Sequence, residues 1–598
     1  MSFIFHEQSF YKITLICKIY NYYKNGAVSM QNFEIAWIFS ELADLLEIKG
    51  EDFFKVRAYR RAAKALARLE QPVQELYRSG KLSQVPGIGK AIAAKIKEII
   101  ETGKLAKHQE LLKEIPAGVL AVRQLPGIGA GRARALFKEL AITDLTELEQ
   151  AAKERKVRSL KGFSAKLESD ILHGIEMMRN RQNSIRLSVA RELAAELKEF
   201  IKLLPGVKAV SEAGSTRRWR DTVGDLDLVV AADDPATVLH AMAAYPRVKE
   251  VVRQESQRMV VNTWWGLAVD LQVADPAAYI TTLHRNTGCK AHYAKLQEIA
   301  QQQGLHLNHR GLFNQAGQHL PIQHEQDIYE TLQMTYIPPE LREDRGEVEA
   351  ARAGRLPAVI ELGDIKGDLH IHTTWSDSAL QLADVVQLCR RKGYAYAAIT
   401  DHSRSLKIAR GLEIERLQEQ HRLIREMNEQ MEDFTLLTGV EADILPNGEL
   451  DYPDEILETM DVVIASVHTG FKQSKQEITR RIMRAMENEH VDIIAHMTGR
   501  ILGRREPYEV DMEALIETAA KTKTALEINA SPDRLDINEI YARKARDAGV
   551  KICINTDAHD AKRLDEMPYG VAVARRAWLE PGDVINTLDL PSLREVLR

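Results

Sequence analysis

Ala213-Gly-Ser-Thr-Arg-Arg-Trp-Arg-Asp-Thr-Val-Gly-Asp-Leu-Asp227 is the densest chemical text in the front half of the chain. Residues 225–231 read as a strand, and strand alternation points Asp225 and Asp227 to one face, two carboxylates beside one solvent-accessible spot. A pair of divalent ions relieves that repulsion, and two-metal sites clamp the attacking and leaving oxygens in phosphoryl transfer. Upstream, Gly214 and Ser215 offer backbone and hydroxyl donors to a triphosphate, and Arg218 supplies a cation. A lone Asp-x-Asp on a strand is often a plain surface pattern; the Gly-Ser and Arg-Arg at this distance upstream weigh against that reading.

Around this stretch, helices alternate with short apolar runs at 248–252 and 268–274, the pattern of an α+β domain built on a small sheet. Toward the front the chain is helical and repeats itself: Val85-Pro-Gly-Ile-Gly89, Leu125-Pro-Gly-Ile-Gly129 and a weaker copy, Leu160-Lys-Gly-Phe-Ser164. Gly87, Gly89, Gly127 and Gly129 let the backbone turn and aim N–H groups near the start of the next helix, where phosphate is favoured. Lys90, Lys95, Arg132 and Arg134 follow. One such turn is equally well a tight helix–helix connection; two copies followed by basic residues read as helix-hairpin-helix grips on a DNA backbone.

Behind the sheet domain, a charged, Pro-containing stretch around 337–358 reads as a linker. Beyond it, β-like runs at 366–372, 395–400, 462–467, 491–495, 525–529 and 550–555 alternate with helices, as in an α/β barrel with its site at the strand ends. Six of the eight histidines in this third sit at those apparent ends: His370, His372, His402, His468, His496 and His559. His-x-His on a strand puts both imidazoles on one face, and Asp557 with His559 repeats the device. With Asp377 and Glu441 they form a ligand set suited to Zn²⁺, Mn²⁺ or Fe²⁺. Scattered core histidines would not collect in this way.

The 598 residues carry a formal net charge of −5, with 45% hydrophobic and 28% charged residues, an ordinary globular composition of roughly three to five domains. The charge is uneven. Residues 367–598 hold 30 basic and 41 acidic residues, and the front half is net positive, as suits a chain that grips a polyanion at one end and gathers carboxylates at the other. Four dispersed cysteines without a Cys-x-x-Cys pair fit a reducing cytoplasm, and no apolar run is long enough for a membrane span. Met30, where a clean helical pattern begins, reads as the natural start and residues 1–29 as a non-native extension.

The glycine-serine turn and its carboxylates resemble the nucleotidyltransferase palm of family X DNA polymerases, and the order of the parts resembles the bacterial members with a carboxy-terminal PHP domain. That resemblance implies all-α helix-hairpin-helix domains, an α+β palm and a distorted (β/α)7 barrel. The implied boundaries are 30–112 for a lyase-like module, 113–185 for a second hairpin module and 186–275 for the palm. A nucleotide-selection subdomain (276–340), a linker (341–366) and the PHP phosphoesterase (367–598) follow. By the same likeness Asp225, Asp227 and Asp270 bind two Mg²⁺ or Mn²⁺, and Asp270 activates the primer 3′-hydroxyl. Gly214, Ser215, Arg218 and Gly224 hold the incoming dNTP, and Lys95 falls where a lyase lysine forms a Schiff base. His370, His372, Glu441 and Asp557 would share one metal and His468 and His496 a second bridged by Glu441, with Asp377, His402 and His559 taking a third.

The implied activity is gap filling on primed DNA in base-excision repair, with a 3′→5′ exonuclease and, in some members, an abasic-site endonuclease. The expected protein is a monomer of the bacterial cytoplasm, associated with the nucleoid. Two departures bear on this: Asn286 stands where the family carries an aromatic residue, and Cys289 where it carries serine. They motivate a second reading as a nuclease with impaired polymerase. A third is a small-molecule phosphoesterase, against which the glycine hairpins argue.

Overall fold

The computed structural model describes residues 32–597 except 68, 70, 124, 126, 183, 264 and 265. The proposed extension, residues 1–29, lies outside the described residues. Residues 32–182 form one unit and 184–597 another.

The first unit is helical. Ile35, Ile38, Phe39, Leu42, Leu45 and Leu46 recur at spacings of three and four in the helix Asn32–Lys49, and all are buried. The glycine repeats form three turns of one shape, each closed by an N–H to C=O bond: Ile88 to Val85 (2.9 Å), Ile128 to Leu125 (3.0 Å) and Phe163 to Leu160 (3.1 Å). Gly87, Gly127 and Gly162 have φ of 93°, 77° and 87°, which explains why the weak third copy keeps glycine at that place while its proline, isoleucine and second glycine change. The helices Lys90–Thr102, Ala130–Leu140 and Ala165–Gln182 follow these turns.

The second unit begins with a five-stranded sheet in the order Val207–Glu212, Asp225–Ala232, Ala268–Ala274, Arg258–Thr263, Val248–Gln254. Only the Asp225 and Ala268 strands are parallel, and they are paired so that Asp227 is opposite Asp270. The helix Leu187–Lys202 buries Leu193, Leu197 and Ile201 in the core of this sheet domain. The stretch read as a linker is folded: Arg342 and Glu347 are buried, and Val348 and Ala351 of the helix Glu347–Arg352 join an apolar core with Leu296 and Tyr329. Its charges pair inward, which local composition does not reveal.

The carboxy-terminal part is a nearly closed barrel of seven parallel strands in chain order: Gly367–Ile371, Tyr396–Ile399, Thr435–Asp443, Val462–Ser466, Ile493–Ile494, Ala525–Asn529 and Ile552–Asn555. A bridge from Ile371 to Ala558 brings the last strand back to the first. Helices cover the strands, so the strand residues are buried on both faces and read as continuous apolar runs. Six of the seven strands match the sequence reading; Thr435–Asp443, which carries Glu441, is the seventh.

Candidate functional site

In the sheet domain, Asp225 and Asp227 alternate with buried Leu226 and Leu228, and Asp270 comes to their face from the neighbouring parallel strand. Burial, then the charges of Asp225 and Asp270, push the Asp227 carboxyl up to about 7, and Arg218 and Arg258 oppose that shift. Three carboxylates so close, one of them partly desolvated, are a donor set that divalent cations satisfy. Gly214 has φ of 55°, and a Cβ there would lie 1.7 Å from Asp227 Oδ2, so only glycine lets the turn close over the carboxylate. Ala213 donates its N–H to the carbonyl of Asp227 (2.9 Å), fixing the turn that carries Ser215 against the strand. Gly224 is exposed at the entry to that strand.

Arg218 is positioned from behind: Nε donates to Glu343 (2.7 Å) and Nη1 to the carbonyl of Thr287 (2.7 Å). Arg217 and the fully buried Arg342 both bond Glu325, and together they hold its carboxyl below the usual range against the cost of burial. Asn286 donates its amide to Gln272 Oε1 (3.0 Å), two residues along the strand from Asp270, and to the carbonyl of Thr282 (2.9 Å). Cys289 Sγ accepts from the His292 N–H at 3.4 Å as a helix cap. Sequence reasoning missed Arg258, whose Nε donates to Asp270 at 2.9 Å from the adjacent antiparallel strand. Arg253-Gln-Glu-Ser-Gln-Arg258 reads only as polar loop text, and the register that delivers Arg258 is tertiary.

In the first unit, Lys90 is exposed at the start of its helix and Lys95 is half-buried one turn further on. Arg132 donates to the carbonyls of Gly127 (2.6 Å) and Gly162 (3.2 Å), so it braces two hairpin turns against each other.

All nine candidate ligands of the barrel converge at its strand ends. Glu441 is central: Oε1 lies 3.2 Å from His468 and 3.0 Å from His496, and Oε2 lies 3.6 Å from both His370 and His372 and 2.7 Å from His402. Asp557 Oδ1 is 3.2 Å from His372 and 3.7 Å from His370; Asp377 Oδ1 is 3.6 Å from His402 and 3.4 Å from His559. Three groups have ligand atoms close enough to share an ion: His372, Asp377, His402 and His559; His370, His372 and Asp557; and His402, Glu441 and His468. His372 and His402 each belong to two of them, so adjacent ions would share walls.

Buried His370 Nε2, His372 Nδ1 and His496 Nδ1 have no hydrogen-bond partner, a costly arrangement unless cations take those lone pairs. Burial, then His559 and His402, lower the His372 imidazole to about 3, leaving it neutral as a ligand must be. The residues present therefore fit divalent metals.

Two supports escaped the sequence reading. Glu527 lies 2.7 Å from His370 Nδ1 and accepts the His496 N–H at 2.9 Å, and Asp443 lies 2.5 Å from His468 Nδ1. Carboxylates behind metal-binding imidazoles fix ring orientation and basicity. The sheet domain and barrel meet at Asp221, which accepts from Arg500 (2.8 Å) and Arg576 (2.9 Å) of the barrel.

Helical hairpin modules, a carboxylate-bearing mixed sheet and a histidine-lined parallel barrel on one chain define a multidomain enzyme of nucleic-acid phosphoryl chemistry. Family models match part by part: a helix-hairpin-helix domain at 30–105, a SAM-like helix-hairpin-helix tandem at 119–176, a DNA polymerase beta thumb at 282–343 and a PHP domain at 368–531. The DNA polymerase/3′-5′ exonuclease PolX of Bacillus subtilis is 40% identical over 572 residues, 95% of this chain and all of that protein. A probable phosphatase of Thermoanaerobacter sp. is 29% identical over 242 residues, 39% of this chain and 94% of its own length. The chain belongs to the family X DNA polymerases that carry a carboxy-terminal PHP domain. Among the described residues no helix is long and apolar enough to cross a membrane.

Proposed function

We propose that this DNA polymerase and 3′→5′ exonuclease fills short gaps in base-excision repair and clears unusable 3′ ends with its barrel. The observation that carries the reading is the presence on one chain of two separate carboxylate- or histidine-rich centres, one beside a glycine turn shaped around Asp227 and one around Glu441. Asp225, Asp227 and Asp270 would hold two Mg²⁺ or Mn²⁺, which supply charge neutralisation for the triphosphate and the primer 3′-oxygen. Gly214, Ser215, Arg218 and Gly224 orient the dNTP phosphates, with Glu343 and Thr287 keeping Arg218 in place. The hairpin turns, with Lys90 and Arg132, hold the DNA backbone without reading sequence.

In the barrel, His370, His372, Asp377, His402, Glu441, His468, His496, Asp557 and His559 would hold up to three ions of Mn²⁺, Zn²⁺ or Fe²⁺, which supply Lewis acidity for phosphodiester hydrolysis. Glu527 and Asp443 orient the imidazoles and exclude the wrong tautomers. The protein works as a cytoplasmic monomer, and Lys95 is the candidate for lyase chemistry. The test is primer extension on a one-nucleotide gap with Mn²⁺ and dNTPs. Extension should need Asp225 and Asp227, and primer shortening should need His370 and His372. A wild type that shortens primers and never extends them, given Asn286 and Cys289, assigns the chain to the nuclease reading.

A further inference from the structure

The barrel carries more acidic than basic residues, yet a group of cations at its strand ends is left free of carboxylates. Arg404, Lys407 and Arg410, on the loop that leaves the strand Tyr396–Ile399, are exposed and make no ion pair among the described residues. Lys472 and Arg504, on the loops after Val462–Ser466 and Ile493–Ile494, are exposed and unpaired in the same way. All five stand close in sequence to candidate metal ligands: Arg404 follows His402, Lys472 follows His468 and Arg504 follows His496. Positive charge gathered on the rim of a carboxylate-rich centre is the electrostatic footprint of a polyanion.

The first of these loops is held firmly. The His402 carbonyl accepts the Leu412 N–H at 2.8 Å, so the ends of the loop meet beside a candidate ligand. A Cβ at Gly411 would lie 1.9 Å from the Ser403 carbonyl oxygen, and only glycine permits that closure. Ser405 donates its N–H to Asp451 (2.9 Å) and its hydroxyl to Asp443, both buried carboxylates. Asp443 is also the support behind His468, so one side chain anchors the loop and a candidate ligand together. At the tip, the single turn Lys407–Ala409 buries Ala409 and leaves Ile408 94% exposed, more than any other large apolar side chain among the described residues.

A lone exposed isoleucine carries no message by itself. This one is fixed in place between two free cations, six residues from His402. Six residues reach about 20 Å at most, and a DNA strand advances about 3.4 Å per nucleotide, so the tip stands within about six nucleotides of a phosphodiester held at His402. Proteins that grip DNA press apolar side chains such as isoleucine against base steps while neighbouring Lys and Arg take the phosphates. A lipid surface fits less well, because stable attachment there takes the whole apolar face of a helix or an acyl chain.

We infer that the loop Ser403–Leu412 is the nuclease site's own hold on DNA. Lys407 and Arg410 sit on backbone phosphates and Ile408 against a base step a few nucleotides from the bond being cut, with Lys472 and Arg504 continuing the track along the rim. The inference rests on the exonuclease reading above. It makes this loop, rather than the metal-ligand cluster, the part of the barrel that selects a nucleic acid over a small phosphate ester.

Three activities of the full chain with Mn²⁺ test it: primer trimming, hydrolysis of bis(p-nitrophenyl) phosphate, which is a diester without base or chain, and gap extension. Lys407→Ala/Arg410→Ala should raise KM for trimming about tenfold and lower the slope of log KM against log salt by about 1 to 2. Ile408→Ala should raise the same KM about fivefold to tenfold, and Ile408→Leu, which keeps an apolar tip, should restore it. All three variants change exposed side chains and should leave small-diester hydrolysis and gap extension within about twofold of wild type. Trimming with unchanged KM and salt slope overturns the inference. So does an equal loss on the small diester, which would place the effect of the loop in the metal-ligand cluster. Phosphatidylglycerol vesicles that bind wild type and not Ile408→Ala, with trimming unchanged, assign the tip to a lipid surface instead. A wild type that hydrolyses the small diester and trims no DNA overturns the exonuclease reading and this inference together.

Discussion

Gly214 and Asp227 are packed so closely that a methyl group on Gly214 would stand 1.7 Å from the Asp227 carboxylate oxygen. The turn that presents Ser215 and the strand that presents the carboxylates are therefore set by one contact. Gly214→Ala also meets the strain of φ at 55°, so Asp227 must swing away. Displacing a reacting group by about 1 Å costs on the order of 100-fold in rate. Single-turnover extension of a gapped primer by Gly214→Ala should fall by about that factor while primer trimming stays within about twofold. Equal loss of both activities would mean that the variant damages the fold instead.

Asp227 also sets a pH dependence. Its carboxyl is raised to about 7 in the metal-free protein by burial and by Asp225 and Asp270. Below the unfolded value of about 3.9 it is protonated in both states and costs nothing; as pH rises from there to about 7 the unfolded chain ionises while the folded chain keeps its proton, so the penalty builds over that window and is constant above it. Asp227→Asn should stabilise metal-free protein at pH 8 by on the order of 2–4 kcal/mol, and the difference should vanish near pH 4. Urea denaturation at the two pH values measures this, and added Mg²⁺ should abolish the advantage. A variant that is no more stable than wild type at pH 8 removes the electrostatic argument for a cation at this place.

Between sheet domain and barrel, Asp221 neutralises two guanidinium groups at once. Burial would raise its carboxyl, but Arg500 and Arg576 more than reverse this and hold it below the usual range. Asp221→Ala leaves Arg500 with backbone carbonyls alone and Arg576 with Glu539 as its one remaining carboxylate, at a cost of about 3 kcal/mol. A carboxylate held low contributes stability above its unfolded value and loses it as pH falls through the folded one. The gap between wild type and Asp221→Asn should thus be constant from pH 6 to 8 and narrow below about pH 4, as read by denaturant titration.

How far the sequence carries is visible in single residues. The hairpins are legible because Gly87 and Gly127 must adopt positive φ, a local demand that leaves the same letters at each copy. Most barrel strands are legible because strands buried on both faces become apolar runs. The strand Thr435–Asp443 interrupts that rule with Thr438, Glu441 and Asp443, polar side chains that are nonetheless buried, so it hides from a hydrophobic search. Candidate ligands could be found by residue type at strand ends. Their supports could not: Glu527 reaches His370 across 157 residues, and Glu325 joins Arg217 across 108, contacts that only the closed fold creates.

The barrel's own charge balance leads to the last prediction. Burial lowers the His468 imidazole, but Glu441 and Asp443 reverse this and raise it to about 10. His559 is likewise raised to about 9, by Asp377 and Asp557 against its burial. In metal-free protein near pH 7.5 both rings therefore carry protons, standing in for the cations that the carboxylates call for. A ligand nitrogen must shed its proton to bind a metal, so uptake of Mn²⁺ must expel them. Against its burial, Glu527, Asp557 and Glu441 hold the His370 imidazole well above its ordinary value too, so titration of metal-free protein with Mn²⁺ in weak buffer at pH 7.5 should release about three protons per chain, and His468→Ala and His559→Ala should each reduce this by about one. The apparent Mn²⁺ affinity should accordingly rise with pH between 7 and 9. Manganese binding without proton release would show that these two histidines are not displaced by metal, and that the ions, if bound, are held elsewhere in the barrel.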